Sequence, residues 1–238
     1  MTSDAIHLDD DFFEHDLVAK FEQTNEDVVK HYTIKRMKFA LKLEQRRELI
    51  TAASRENPTH GLMIKTEMMT GLRVGELAEV LKSNIDFYAN TISVSIHLDD
   101  DEIDDWQPKT ATSVRTIPLE SSLAREIQRY IDDQRVSMKT AVVSPYVFIG
   151  RAGQKFNQRS VINFINKYAK RCTTIGKTIG SHCLRRTFAS FLIKNGVPIG
   201  SISTYLGHQS IKTTMRYLFE IRDLDDYEKT GKILSNMV

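Results

Sequence analysis

Three short β-rich segments, Asn84–Phe87, Thr91–Ile96 and Val114–Leu119, stand between long stretches whose apolar residues recur at helical spacing. That placement constrains the fold most. The expectation is a mainly α protein with a small three-stranded antiparallel sheet inserted early.

The helices are legible from spacing and punctuation. Leu43–Ser54 reads as one, Leu62–Thr70 as a second closed by Gly71, and Val74–Leu81 as a third. After the β-rich segments, Ser121 or Ser122 is expected to cap a helix carrying Leu123, Ile127, Tyr130 and Ile131. Val161 through Cys172 marks another amphipathic helix. Leu184, Phe188, Phe191 and Leu192 mark the next, ended at Asn195-Gly196. Pro198–Tyr205 is expected to be a short helix stopped by Gly207. Ile211–Leu218 and the tail after Arg222 read as helical. Residues 1–40 are polar and poorly periodic, with at most a short helix around Asp16–Phe21, so the domain is expected to run from 41 to 238.

Net charge is +2 over 238 residues but unevenly placed. Residues 1–30 hold nine Asp/Glu and two Lys, leaving 31 Lys/Arg against 22 Asp/Glu in the rest. A second acidic run, Asp99–Asp105, sits inside that basic remainder. The balance favours a polyanionic partner. No run of eighteen apolar residues and no secretion signal is present, so a cytoplasmic, nucleoid-associated location is expected. Cys172 and Cys183 make no metal-ligand pattern and read as thiols.

Three boxes carry chemistry: Thr70-Gly71-Leu72-Arg73-Val74-Gly75-Glu76-Leu77, Ser181-His182-Cys183-Leu184-Arg185-Arg186, and Leu206-Gly207-His208, with Tyr217 nine residues beyond His208. Two arginines suit a phosphodiester: their planar forks neutralise the non-bridging oxygens and never lose their protons. A tyrosine can attack the phosphorus if neighbouring cations and a histidine help it shed its proton. Each residue alone has an ordinary reading. Arg73 and Glu76 could be an i,i+3 surface pair, each histidine a backbone partner, and Tyr217 a core tyrosine. Order and spacing together argue against all of these at once.

The set resembles the catalytic domain of the tyrosine recombinase (phage integrase) family, over about residues 41–220. The resemblance implies that family's DNA breaking-rejoining fold. It also implies a 3′-phosphotyrosyl intermediate at Tyr217, and a site of Arg73, Lys109, His182, Arg185, His208 and Tyr217. Lys109 matches the family's hairpin lysine, the general acid for the leaving 5′-oxygen, in Trp106-Gln107-Pro108-Lys109-Thr110. Glu76 matches an acidic position that buttresses the first arginine. The resemblance further implies double-stranded DNA as substrate, a homo-tetramer on paired sites, a possible accessory protein, and no metal or other cofactor. Most members carry a helical clamp domain of roughly a hundred residues ahead of this part, whereas about forty precede it here. Type IB topoisomerase-like relaxation and a non-catalytic DNA-binding regulator are the alternatives.

Overall fold

The computed structural model describes residues 40–94, 114–137, 144–150 and 152–215, all within one compact unit, Phe39–Val238. The Asp16–Phe21 segment, the Asp99–Asp105 run, Lys109, Tyr217 and the tail after Arg222 lie outside the described residues.

Helix α1 spans Leu43–Glu56 and α2 spans Pro58–Thr70. The second starts four residues earlier than periodicity alone suggests. Asn57 accepts a hydrogen bond from the His60 N–H at 3.3 Å, and Pro58 occupies the first helical position, where its missing N–H costs nothing. Most of α2 is buried, including Met63, Ile64, Glu67 and Met68, so it is the central helix and packs on α1 and on α6 (Ser181–Lys194).

Helix α3 is a single turn, Val74–Ala78, shorter than its expected run to Leu81. The chain leaves it because Leu81 pairs with Tyr146 in an isolated bridge and a 3₁₀ turn, Lys82–Asn84, follows. Strands β1 (Ile85–Asp86), β2 (Thr91–Val94) and β3 (Arg115–Pro118) then form an antiparallel sheet in the order β1-β2-β3. Its register sets Ile85 beside Ile92, Ile92 beside Ile117, and Val94 beside Arg115. Burial alternates along β2 and β3, so Ile92, Val94 and Ile117 face the core, and so does Arg115.

Helix α4 spans Ser121–Ser137. Its cap is not a serine, as expected, but Glu120, whose carboxylate accepts the N–H groups of Ser122 at 2.9 Å and Leu123 at 3.1 Å. Helices α5 (Gln158–Arg171), α6 and α7 (Ile199–Leu206) complete the described elements, with residues 211–215 helical beyond them. Phe191, expected on the apolar stripe of α6, is 50% exposed and is covered on one side by Arg46, whose guanidinium lies 5.3 Å from the ring centroid. Among the described residues no helix is long and apolar enough to cross a membrane, and no cluster of side chains could hold a metal ion.

Candidate active site

The first box begins where α2 stops. Gly71 takes the left-handed conformation, φ +66°, and its N–H closes the helix on the Glu67 carbonyl at 2.8 Å. A side chain could not fit: a Cβ here would lie 2.5 Å from Phe188 Cδ1. The fully buried Leu72 anchors the next residue in the core, and Arg73 then caps α3 in extended conformation. The Glu76 carboxylate reaches back to the Arg73 N–H at 2.6 Å and to its Nη1 at 2.8 Å.

The centre of the site is the C-terminal end of α7. A helix leaves its last carbonyls without intrahelical donors and carries partial negative charge there. Three consecutive carbonyls at this end each receive an arginine. Tyr205 O accepts from Arg115 Nε at 2.6 Å, Leu206 O from Arg185 Nη2, and Gly207 O from Arg73 Nη2 at 3.0 Å. The arginines arrive from β3, from α6 and from the cap of α3, so one helix end collects three guanidinium groups from separate parts of the chain. Arg185 is locked further by its Nη1 bond to Gly71 O at 2.5 Å. Gly207 has φ +60°, and a Cβ there would lie 3.0 Å from Arg115 Nη1. Gly71 and Gly207 serve the site differently: Gly71 leaves room for Phe188 while its carbonyl takes Arg185, and Gly207 leaves room for the Arg115 guanidinium itself.

Glu76 is the counter-charge. It was foreseen as a partner of Arg73, but it is no surface residue: its side chain is 1% exposed. Besides Arg73 it takes both forks of Arg115, at 2.9 and 2.7 Å. Burial alone would push its carboxyl up. The Arg115 bonds and charge, reinforced by the Arg73 N–H and charge, outweigh burial and hold it below the usual carboxylate range. One carboxylate thus faces two of the three arginines, Arg73 and Arg115. Arg73 is the most open of the three, its side chain 34% exposed, whereas Arg185 and Arg115 are buried.

A second carboxyl lies underneath. Glu67 is 1% exposed and its Oε2 has no hydrogen-bond partner. Burial raises it well above the usual range, more than the Arg185 charge lowers it, so the fold favours its neutral form.

His208 follows Gly207 directly. Its Nδ1 is paired with Thr214 Oγ1 at 2.8 Å, and Thr214 is fully buried, which fixes the ring. His182 stands on the first turn of α6, exposed, three residues before the buried Arg185. Of the six expected site residues, Arg73, Arg185 and His208 meet around the end of α7, His182 lies on the same helix as Arg185, and Lys109 and Tyr217 fall outside the described residues. Sequence reasoning missed Arg115, Glu67 and Thr214. Arg115 had a signal: it occupies the inward register with Ile117 and Leu119, where an arginine demands a buried acid. Glu67 had one too, as the only acid within the apolar run Leu62–Thr70. Thr214 had none.

Comparison with known proteins gives consistent findings. The sequence model described as the phage integrase family matches residues 40–220. The chain is similar to tyrosine recombinase XerC of Pelobacter propionicus, 27% identical over 76% of this chain and 55% of the relative. It is equally similar to a tyrosine recombinase of Pseudothermotoga lettingae, 27% identical over 76% of this chain and 56% of that one. The chain therefore spans little more than half the length of these relatives. Among solved structures it resembles XerA recombinase (TM-score 0.65, 25% identity, 85% of this chain and 65% of that one). It also resembles the Tn1549 transposon integrase in complex with transposon right-end DNA (TM-score 0.68, 20% identity, 85% and 67%).

Proposed function

Because the chain belongs to the phage integrase family, we propose that it is a site-specific DNA recombinase that cleaves and rejoins duplex DNA through a 3′-phosphotyrosyl intermediate at Tyr217. The observation that best supports this reading is the gathering of Arg73, Arg185 and Arg115 on successive carbonyls of one helix end, with Arg73 facing solvent. Guanidinium groups fixed in advance need no reorganisation as charge develops on the phosphate oxygens.

In the proposed reaction Tyr217 Oη gives its proton to a site histidine and attacks phosphorus, and the bond to the 5′-oxygen breaks. Lys109 gives its proton to that oxygen. Arg73 and Arg185 hold the non-bridging oxygens, while His208, its ring fixed by Thr214, and His182 complete the phosphate's surroundings. A new 5′-hydroxyl then attacks the phosphotyrosine, so the bond energy is conserved without ATP. The arginines supply the charge that a divalent ion supplies elsewhere. Residues 41–238 would form the catalytic domain and residues 1–40 an acidic lead. The active form would be a homo-tetramer on paired sites in the cytoplasm, at the nucleoid, with an accessory protein contributing where needed.

The test uses a pool of nicked duplexes of randomised sequence, from which denaturation-resistant protein–DNA adducts are captured. Tyr217→Phe should abolish the adduct and leave DNA affinity unchanged, because the ring is kept and only the nucleophilic oxygen is lost. Lys109→Ala should fail on ordinary DNA and recover on a 5′-phosphorothiolate, whose sulfur leaves without a proton. An adduct that survives Tyr217→Phe would assign the attack to another residue.

A further inference from the structure

Arg115 is the one member of the arginine group that the proposed reaction does not use. It sits on β3, inward, 6% exposed, at a register where the sheet otherwise places apolar side chains. It makes a bidentate pair with Glu76, from Nη1 to Oε1 at 2.9 Å and from Nη2 to Oε2 at 2.7 Å, and its Nε donates to Tyr205 O at 2.6 Å. Glu76 Oε1 is also the atom that holds Arg73 Nη1 at 2.8 Å. One carboxylate oxygen is therefore shared between a buried arginine and the half-exposed arginine placed at the phosphate.

We propose that Arg115 is a positioning residue of this site: it holds the Glu76 charge from behind, so that Arg73 keeps its own charge and orientation for the phosphate. The inference rests on the phosphoryl-transfer reading given above. Its physical basis is a count of charges. With Arg115 present, Arg73, Glu76 and Arg115 sum to one positive charge, and the carboxylate is satisfied from two sides. With Arg115 gone, Arg73 and Glu76 alone sum to zero. A buried carboxylate then has one cation within reach, and it draws that guanidinium inward. An arginine is needed because only its planar fork spans both carboxylate oxygens while Nε reaches a third acceptor. Through the same three bonds β3 is tied to α3 and to the end of α7, where Arg73 and Arg185 are also fastened.

The test compares the full-length wild type with Arg115→Gln, Arg115→Lys and the double variant Glu76→Gln/Arg115→Gln. Adduct formation is measured in single turnover at saturating DNA, on duplexes captured from the randomised nicked pool. Arg115→Gln should be slower by on the order of a hundredfold, in the chemical step rather than in DNA affinity. The double variant should regain at least about tenfold of that loss, because removing the Glu76 charge leaves Arg73 positive again. Arg115→Lys should fall between wild type and Arg115→Gln, which keeps the test open if the glutamine variant folds poorly. A purely structural arginine predicts losses that follow the folded fraction, with a wild-type single-turnover rate per folded molecule in both glutamine variants, and that result would overturn the proposal.

A second measurement does not depend on cleavage. The Glu76 carboxyl carbon is followed by NMR against pH, and the Arg73 Nε signal is titrated with inorganic phosphate. In Arg115→Gln the Glu76 titration should move upward and the Arg73 response to phosphate should weaken. If wild type forms no adduct on any sequence, the recombinase reading falls, and this measurement alone decides Arg115. Unchanged Glu76 and Arg73 signals would then dismiss it.

Discussion

At the residue scale the site is a lesson in what an arginine needs before it can serve a reaction. Each guanidinium here is held by backbone oxygens or by Glu76, so its geometry is set without any ligand. Arg185→Lys should therefore be severe. A lysine has one nitrogen in place of the two that reach Gly71 O and Leu206 O separately, so at least one buried carbonyl should lose its donor geometry. The stability loss should be about 1–3 kcal/mol in denaturant titration. Adduct formation by the proposed chemistry should slow on the order of a hundredfold or more. Arg73→Lys should show the rate loss with a smaller stability loss, because its side chain is 34% exposed. Equal stability losses in the two variants would mean that exposure does not separate their roles.

At the element scale, short helices are sited by their ends more than by their stripes. Helix α2 begins where Asn57 and Pro58 allow it and ends where Gly71 turns, and this end delivers Arg73 to the site. Asn57→Ala removes the side-chain oxygen that accepts the His60 N–H and should lower stability by about 1 kcal/mol, read as a shift in urea midpoint. A shift as large as that of a core truncation would mean that Asn57 supports more than its cap. The end of α7 works in the opposite sense: its carbonyls are completed by arginines from elsewhere, so the helix terminus is itself the scaffold of the site.

Over the whole molecule, buried and capping carboxyls pull the pH dependence in opposite directions. Glu48 holds the N–H groups of Thr173 and Thr174 and, mainly through its Thr174 bonds, is lowered to about 2. Glu120 is lowered to about 2, chiefly by its bonds to Ser122. A depressed carboxyl contributes stability above its unfolded pKa, and that contribution is lost as pH falls from about 4.5 toward 2. Glu67 acts the other way. Its pKa is raised by burial, so its contribution is intact below about 4.5 and declines as pH rises. The stability curve should fall on both sides of the mildly acid range. Glu67→Leu should flatten the alkaline side and stabilise the protein by roughly 1–3 kcal/mol at neutral pH, since an unpartnered buried oxygen is removed. Glu48→Gln with Glu120→Gln should flatten the acid side. A curve unchanged by Glu67→Leu would show that Glu67 does not titrate in the folded protein over this range.

Much of the architecture was readable before folding was considered. The three-stranded sheet, the helices and the turns at Gly71 and Gly207 follow from local rules: periodicity, caps and the left-handed conformation that glycine alone takes freely. The residues proposed for chemistry were readable for a related reason, since a phosphodiester restricts which side chains can serve it, and their order along the chain is distinctive. What the tertiary structure decided is everything that depends on residues far apart in the chain. Helix α3 stops after one turn because Leu81 finds a partner at Tyr146. Arg115 points inward because Glu76, 39 residues earlier, is buried to meet it. The end of α7 gathers Arg73 from 134 residues away and Arg115 from 90. No local pattern records such meetings, because the free energy of a buried ion pair or of a carbonyl awaiting a donor belongs to the assembled interior and not to any segment of the chain.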